Sequence, residues 1–328
     1  MSITSARSIT GTATLANFDP QVRTAILGWE KLIINKADSI TDFLPTIYED
    51  ETFDAKKIKS GVYSGFGPSG EWDMLSEKNK VDTSYLYEIF AENFAYGSEY
   101  EIAFDAQAFD EMFSMNSKRA TDYGESLAWT QQIAGAKFLN NAFNADATCK
   151  WHTVTGNEAF FSASHSYAPN VAGTTAGVLS GTWSNIGAGV ASLTTAMDAF
   201  NKLADQRDYV GRPMNLRPVE VLCRPEKVTT WQEILGIGMN GKSGEISNNR
   251  NPFQGDWGGI KITPYPYFAT TNQWVVKSNK NPLKMTRKIG ITIKTISPVS
   301  SAEKLIIHGK FTFDAWQESP MGMIGYPG

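Results

Sequence analysis

The chain has few of the residues on which disulfide-stapled, metal-binding and membrane proteins depend. Its 328 residues include two cysteines and three histidines, too few for a disulfide framework. No apolar run approaches the ~18–20 residues that cross a bilayer. The first ten residues lack the apolar segment of a secretory signal. We therefore expect synthesis in a reducing compartment, with no membrane contact, metal site or cofactor.

Charge is modest overall but unevenly distributed. Residues 1–150 hold 22 acidic and 13 basic residues, a net of −9, whereas the remainder holds 12 and 17, a net of +5. The segment 45–102 alone has 12 acidic and 5 basic residues, a net of −7. This asymmetry suits contact between copies, because complementary potentials fix register, but solvated faces would give the same pattern. The chain is not basic enough to be a dedicated nucleic-acid clamp.

Residues 105–144 have the periodicity of one unusually long helix. An apolar stripe recurs at steps of three, four or seven, at Phe109, Phe113, Ala120, Tyr123, Leu127, Ala134 and Phe138. At 1.5 Å per residue such a helix is about 60 Å long. Gly124 and Gly135 weaken it by about 1 kcal/mol each relative to alanine, although small residues also let another backbone approach.

The segment before this helix, residues 44–103, alternates like a long hairpin and has no evident core of its own. A turn cluster rich in glycine occupies residues 60–70. An isolated two-stranded ribbon is marginally stable in water, so this arm needs a surface to lie on. The surface we expect is another copy of the protein, and the predicted contact residues near the arm's turn are Tyr63, Phe66, Pro68 and Trp72.

The second half mixes helices with alternating strands. A helix is predicted over 185–205 with one apolar side, formed by Val190, Leu193, Met197, Phe200 and Leu203. A strand over 219–223 and a helix opened by Pro225 follow. The late strand around 305–313 has an apolar face and a mixed one, which predicts a sheet covered on one side. The fold class is α+β.

One motif resembles a phosphate-binding loop. Residues 236–243 match G-x-x-x-x-G-K-[ST] through Gly236, Gly241, Lys242 and Ser243, and Gly238 completes a second glycine pattern. The motif requires a strand before the loop and a helix after it. Here a helix precedes the loop, and residues 244–252 cannot begin one. We interpret the segment as a glycine loop and keep nucleotide binding as an alternative.

Other catalytic and metal patterns are weaker. Cys149, His152 and His165 could supply three metal ligands but no fourth at finger spacing, so a hydrogen-bonded histidine with an inert cysteine is the preferred interpretation. No nucleophile elbow is present. We predict that the chain is not an enzyme.

Three clusters in the second half resemble the major head subunits of Mu-like tailed phages. They are Glu158–Ser162 with His165, then Asp208 with 211–218, and finally 251–255, which lies just before a predicted strand. Their order and spacing behind the long helix make the similarity reasonably specific over residues 20–328.

The resemblance implies the tailed-phage capsid fold of the HK97 type. Carried over, residues 1–44 are an N-terminal arm and 45–103 an extended loop. Residues 104–184 are a peripheral domain built on the long spine helix. Residues 185–282 are an axial domain that holds the glycine loop, and 283–328 return to the peripheral domain.

The same resemblance implies a major capsid protein that assembles into hexamers and pentamers of an icosahedral head around double-stranded DNA. The implied partners are further copies of the chain, a separate scaffold protein, a portal, a decoration protein and the packaged DNA through non-specific contact. Expansion from a procapsid would rearrange the arms. A nucleotide hydrolase and another oligomeric virion component, such as a tail-tube or decoration protein, remain alternatives.

Overall fold

The computed structural model describes most of the chain from residue 20 onward. The described ranges are 20–63, 85–103, 110–144, 150–152, 157–167, 181–236, 259–296 and 304–328. Within them the helices are α1 (Pro20–Ser39), α2 (Leu44–Ile47), α3 (Asp110–Asn141), α4 (Leu193–Ala204) and α5 (Val228–Leu235), with a 3₁₀ turn at Pro225–Lys227. None of these helices has the length and apolar content needed to cross a membrane.

The strands form two larger sheets and three two-stranded pairs. In the five-stranded sheet, β1 (Glu49–Asp50), β12 (Leu283–Thr286), β14 (Lys304–Gln317) and β13 (Thr292–Ile296) are joined in that order, and β4 (Phe94–Ala103) pairs with β14. The four-stranded sheet has the order β10 (Lys261–Pro264), β9 (Pro218–Cys223), β11 (Trp274–Ser278), β15 (Met323–Tyr326). The pairs are β2 (Lys57–Tyr63) with β3 (Tyr85–Glu92), β5 (Lys150–His152) with β6 (Asn157–Ala159), and β7 (His165–Ser166) with β8 (Thr182–Trp183). This mixture confirms the predicted α+β class.

The described residues divide into two units. The first holds those of 1–58, 91–135 and 285–315, and the second those of 59–90, 136–284 and 316–328. The peripheral and axial domain boundaries derived from the resemblance stay a prediction.

The predicted long helix is present as α3, which has 32 described residues, or about 48 Å; residues 105–109 of the predicted range lie outside the described residues. Within its apolar stripe, Ala120, Leu127 and Phe138 are buried, while Tyr123 and Ala134 are partly exposed. Phe109 lies outside the described residues. The helix therefore buries a stripe of the expected kind, as a helix that supports a domain must.

The two glycines of α3 mark close approaches in the first unit. A side chain at Gly124 would collide with the backbone of Ile33 in α1, and one at Gly135 would collide with the side chain of Leu44. Gly309 of β14 likewise lies directly beneath Leu127. The expectation that these helix glycines admit another backbone is confirmed at Gly124. At Gly135 the neighbour is a side chain.

The strand β14 has the predicted two-sided character. Ile307, Phe311 and Phe313 are buried on the face toward α3. On the other face Lys310 is exposed, and His308 lies 3.2 Å from Glu99 of β4. One face of this sheet is therefore packed and the other is partly wet, as in many antiparallel sheets.

In the second unit, α4 and α5 cover one face of the four-stranded sheet. The buried cluster includes Phe200, Leu203, Val221, Trp231, Trp274 and Tyr326. The predicted helix over 185–205 is wrong at its start, because Ser192 caps α4 by accepting a hydrogen bond from the backbone of Thr195, which fixes the helix start.

The predicted apolar side of that helix is only half buried. Phe200 and Leu203 pack inside, whereas Val190, Leu193 and Met197 are among the exposed large apolar residues. The periodicity predicts the apolar face of the helix, but it does not show which residues of that face are buried and which are exposed to solvent.

The expectation that residues 44–103 lack a core is wrong at both ends. Leu44, Ile47 and Tyr48 are buried in the first unit. At the other end β4 pairs with β14 over ten consecutive positions, from Phe94 to Ala103. Long-range pairing, which local pattern does not reveal, supplies the missing core. Between these ends, β2 and β3 form a separate two-stranded ribbon.

Candidate assembly surface

At the base of the ribbon formed by β2 and β3, hydrogen bonds join residues of the first unit. The backbone N–H of Asn93 donates to the carbonyl of Lys56 at 2.9 Å, and its side-chain amide donates to the carbonyl of Ala55 at 3.1 Å. The backbone N–H of Glu92 donates to the Asp314 carboxylate at 2.8 Å. These bonds fix the point at which the chain returns from the ribbon into β4.

Ion pairs surround this base. The Nζ of Lys57 lies 2.7 Å and that of Lys56 lies 3.7 Å from the Glu92 carboxylate. The hydrogen bond from Lys57 is the main cause that lowers the pKa of Glu92. Burial raises the pKa of Asp314 to about 6, and the nearby charge of Glu92 adds to that shift. The base of the ribbon thus holds one carboxyl group with a lowered pKa and one with a raised pKa.

Further along, the ribbon packs on apolar residues of the second unit. Val62, Leu86 and Ile89 belong to one cluster. Its other members are Tyr167, Trp183, Tyr209, Met214 and Met321. Leu86 is fully buried. Within the second unit, the described strands of the ribbon therefore pack against residues of their own chain.

The acidic residues at the start of the arm have partners within the chain. Arg287 pairs with Asp42 and with Asp50, and the Nζ of Lys288 donates a hydrogen bond to the backbone carbonyl of Asp54 and lies 3.8 Å from its carboxylate. Asp42 lies just before the arm, and Asp50 and Asp54 lie at its start, so part of the charge there is balanced within the chain; the expected role of the arm's negative charge in contact between copies stays a prediction. Exposed pairs of this kind contribute little stability individually, but they neutralise charge locally.

Of the predicted contact residues at the arm's turn, only Tyr63 is described. It is the last residue of β2, and 59% of its surface is exposed. Phe66, Pro68 and Trp72 lie outside the described residues. Their role as an inter-subunit contact stays a prediction.

The glycine loop is described only at its start. Gly236 ends α5 in the left-handed conformation, with φ of 68°, which suits a residue without a side chain. Gly238, Gly241 and Lys242 lie outside the described residues. The segment before Gly236 is a helix, as expected, whereas a phosphate-binding loop requires a strand there. This geometry does not favour nucleotide binding.

His165 is a buried structural residue. Its Nδ1 lies 2.9 Å from the Glu158 carboxylate, and its Nε2 lies 3.1 Å from both the carbonyl of Phe160 and the side-chain oxygen of Asn185. The amide of Asn185 donates to the carbonyls of Phe160 and Pro320. The first of the three sequence clusters is thus a buried hydrogen-bond network, which confirms the interpretation of His165 as a hydrogen-bonded core residue.

The second cluster is a turn. The Asp208 carboxylate accepts hydrogen bonds from the backbone N–H groups of Val210 and Arg212 and pairs with the Arg212 guanidinium at 2.7 Å. Gly211 has a φ of 86°, which favours glycine. The third cluster, 251–255, lies outside the described residues.

No metal or thiol chemistry emerges from the described part of the chain. It contains no group of three or more side chains able to hold a metal. Cys223 is buried, and burial raises its pKa to about 12, so its thiol is unreactive. Cys149 lies outside the described residues.

Sequence reasoning missed two exposed apolar groups. In α3, Trp129 is 54% exposed and Ile133, four residues later, 42% exposed. In and just before α4, Val190, Leu193 and Met197 are exposed. Positions four apart lie on one helix face, so a second, outward stripe beside the buried stripe could have revealed the first group.

Comparisons with known proteins identify the fold. No protein-family model and no curated protein matches the chain, but solved structures do. The capsid of an empty GTA particle matches with a TM-score of 0.52 and 10% identity, over 88% of this chain and 90% of that one. A structure of Microbacterium phage Oxtober96 matches with a TM-score of 0.51 and 10% identity, over 88% and 93% of the two chains. The predicted fold is confirmed, and this chain has the capsid fold of the HK97 type.

Proposed function

We propose that this chain is a major capsid protein. It assembles into hexameric and pentameric capsomers of an icosahedral head that encloses double-stranded DNA, and it resides in the virion. The observation that carries the proposal is the match of almost nine-tenths of the chain to a capsid structure. A sequence identity of 10% shows a common fold only. We therefore argue the function from the fold together with the ribbon and the exposed apolar groups.

The ribbon supports assembly as the function. Its strands are anchored by Glu92, Asn93 and Leu86, so the residues that flank 64–84 form a fixed platform. A fixed platform reduces the entropy lost when residues 64–84 bind a neighbour. The expected result is a contact in which the arm of one copy lies across the next.

The exposed apolar side chains support the same function. Trp129 and Ile133 form one outward pair, and Leu193 and Met197 form another with Val190. Tryptophan is enriched at the energetic centres of interfaces. Such residues suit burial between copies of a shell subunit better than lasting exposure to water.

The partners beyond other copies of the chain are proposed on the same basis. We expect a separate scaffold protein, a portal and a decoration protein, and non-specific contact with packaged DNA. The net charge of −4 suits a shell that must release its DNA. A strongly basic shell would neutralise the DNA phosphates and hold the genome inside. We propose a mechanical role and no catalysis.

Electron microscopy of the purified chain tests the proposal. Negative stain should show closed shells, or hexamers and pentamers that close on addition of a scaffold. Tubes would favour a tail component, and small oligomers that never close would contradict the proposal. Magnesium-dependent ATP turnover that disappears in Lys242→Ala would support the nucleotide-hydrolase alternative instead.

A further inference from the structure

A buried hydrogen-bond network in the second unit fixes which atoms around His165 donate and which accept. The side-chain amide nitrogen of Asn185 donates to the carbonyls of Phe160 and Pro320 at 2.8 Å and 2.9 Å. Its amide oxygen accepts the backbone N–H of Ser162 at 2.8 Å. Rotating the amide by half a turn would place its nitrogen against an N–H donor and its oxygen against two carbonyls. The amide oxygen of Asn185 is therefore an acceptor where it meets His165.

Each nitrogen of the His165 ring consequently faces acceptors. Nε2 lies 3.1 Å from both the Phe160 carbonyl and the Asn185 amide oxygen, so Nε2 must carry a hydrogen. Nδ1 lies 2.9 Å from the Glu158 carboxylate. Two lone pairs at that distance would repel each other, so a second proton lies between Nδ1 and Glu158. Imidazole is a stronger base than a carboxylate by about two orders of magnitude, so this proton belongs to the ring.

The surroundings of the ring suit a positive charge. His165 lies opposite Trp183 in the pair of β7 and β8, with 4.8 Å between the ring centroids, and an aromatic face attracts a cation within about 6 Å. Only 1% of His165 is exposed, and a buried charge is tolerated when it is paired and hydrogen-bonded. Glu158 supplies the opposite charge, and Phe160 and Asn185 supply the acceptors.

The groups that contact the ring are otherwise uncharged. Among the described residues, Glu158 of β6 is the charged side chain that touches it. The segment between β6 and β7 contributes the carbonyl of Phe160, and the segment after β8 contributes the amide of Asn185. Pro320 takes part through its carbonyl, which accepts from that amide. The charge of the network is therefore set by His165 and Glu158.

Titratable groups further out do not change this balance. Tyr167 lies beyond Trp183, with 6.2 Å between the ring centroids. Burial raises the pKa of Tyr167, although the nearby charge of Arg207 opposes the rise, so the phenol stays neutral. Near the end of the chain, Glu318 pairs with Lys284 at 3.8 Å.

We propose that His165 is a buried imidazolium whose second proton holds the aromatic support of the ribbon in place. The support consists of Tyr167 and Trp183, which belong to the same cluster as Leu86 of β3. His165 pairs with Trp183, and the proton on its Nδ1 ties β7 to Glu158 of β6. When this proton leaves, the hydrogen bond is lost and a lone pair faces the carboxylate, so β7 and the support loosen.

The direction of the effect follows from proton linkage. The closed network holds the proton between Nδ1 and a carboxylate, whereas opening exposes the ring to water and breaks that bond. Opening therefore becomes easier as the pH rises, until the closed form also has lost the proton. One proton changes the opening equilibrium by at most about tenfold per pH unit. Any role in assembly rests on the proposed function, whereas the charge of His165 is a property of the single chain.

Nitrogen NMR of the histidine rings tests the charge directly. Magic-angle spinning of the isotopically labelled full chain reads free subunits and shells alike, and the ring of His165 is assigned through its sequence neighbours. At pH 6 both ring nitrogens of His165 should resonate as protonated nitrogens. On titration to higher pH the proton should leave Nδ1 and stay on Nε2.

A matched pair of variants separates the buried network from a general charge effect. Glu158→Gln removes the charge and keeps the shape, and its amide can donate to Nδ1. At pH 6 the His165 ring should then be neutral, with its hydrogen on Nε2, because two acceptors still face that nitrogen. Glu99→Gln makes the same change at an exposed pair, in which Glu99 lies 3.2 Å from His308. This control should leave the His165 signals as they are in the wild type.

Hydrogen exchange read by mass spectrometry tests the link to the ribbon. Peptides that cover residues 85–90 and 160–167 are compared at pH 6 and pH 8 after correction for the intrinsic rate, on subunits shown by light scattering to be unassembled. In the wild-type chain and Glu99→Gln, the corrected exchange of both peptides should increase severalfold, within the limit of about tenfold per pH unit. In Glu158→Gln it should be the same at both pH values.

Three results would contradict the proposal. A neutral His165 ring in the wild-type chain at pH 6, or a hydrogen on Nδ1 instead of Nε2 in Glu158→Gln, would overturn the assignment of the proton. Equal pH dependence of exchange in the wild type and Glu158→Gln would overturn the link to the ribbon. The wild-type spectrum alone decides the charge, so a variant that fails to fold leaves that test intact. Failure to form shells would contradict the proposed function and leave the imidazolium standing.

Discussion

The hydroxyl of Tyr48 donates a hydrogen bond to the backbone carbonyl of Gly135 at 2.7 Å, in a fully buried position. Tyr48 follows the short helix α2, and Gly135 lies near the end of α3. The bond therefore ties the segment that leads into the ribbon to the long helix. It also explains why residues 44–48 belong to the core instead of to the arm.

Removing this hydroxyl should weaken the first unit. We expect Tyr48→Phe to lower the free energy of unfolding by about 1 kcal/mol, because a buried hydrogen bond of this kind contributes that much. Urea unfolding followed by circular dichroism would measure it. Tyr63→Phe, at an exposed position, is the matched control and should change stability by less than about 0.5 kcal/mol. Equal effects of the two substitutions would argue against the contact.

Two glycines in helices should respond in opposite directions to alanine. Gly28 in α1 faces open space, whereas a side chain at Gly124 in α3 collides with the backbone of Ile33. Gly28→Ala should stabilise the chain by about 1 kcal/mol through helix propensity. Gly124→Ala should destabilise it by about 1–3 kcal/mol, since overpacking against backbone outweighs that gain. Stabilisation by both substitutions would show that α1 and α3 do not approach as described.

The stability of the first unit should fall as the pH rises above 4.5, in part through Glu30. This side chain is fully buried, its Oε1 accepts a hydrogen bond from the Thr295 hydroxyl, and burial raises its pKa. A raised pKa means that the folded state binds the proton more tightly, so the stabilisation is complete below 4.5 and is lost as the pH rises through the higher folded value. The slope for one proton is at most about 1.4 kcal/mol per pH unit.

Glu30→Gln should remove the contribution of Glu30 to the slope of unfolding free energy against pH. This holds whether the substitution raises or lowers the stability at any single pH. Thermal unfolding from pH 4 to pH 8 would measure the slope for both chains. Glu233→Gln, exposed on α5, serves as the control and should keep the wild-type profile. An unchanged slope in Glu30→Gln would show that Glu30 is ionised in the folded chain throughout this range.

The exposed tryptophan of α3 should matter for assembly more than for folding. Trp129→Ala removes a side chain that is 54% exposed, so we expect the unfolding free energy to change by less than about 1 kcal/mol. The concentration at which shells form should rise severalfold. Leu127→Ala, at a buried position, should instead destabilise the fold by about 2–5 kcal/mol. Normal assembly of Trp129→Ala would remove this residue from the interface.

Local pattern predicted those elements whose signals are local. The long helix, the strand at 219–223 and the two faces of β14 follow from periodicity, and the structure confirms them. Pro225 begins a 3₁₀ turn, and the α-helix predicted to start there begins three residues later, at Val228. The start of α4 was misplaced because the apolar residues Val190 and Leu193 continue the helical spacing, while the actual start depends on Ser192.

What local pattern could not predict are contacts between distant residues. The pairing of Arg287 with Asp42 and Asp50 spans more than two hundred positions, so the acidic arm looked unpaired in sequence. The role of Asp314 was likewise invisible, because its partner Glu92 lies 222 positions away. The turn residues Phe66, Pro68 and Trp72 and the loop residues Gly238, Gly241 and Lys242 stay predictions.

Replacing residues 64–84 with a short Gly-Ser linker separates the role of this segment in assembly from its role in folding. The change keeps β2 and β3, including Val62 and Leu86 in their cluster, so the chain should unfold at the wild-type urea midpoint. Light scattering and negative-stain microscopy would then follow assembly of the two chains at equal concentration. We expect shells from the wild-type chain and only soluble subunits or small oligomers from the shortened one. Normal shells from the shortened chain would contradict it.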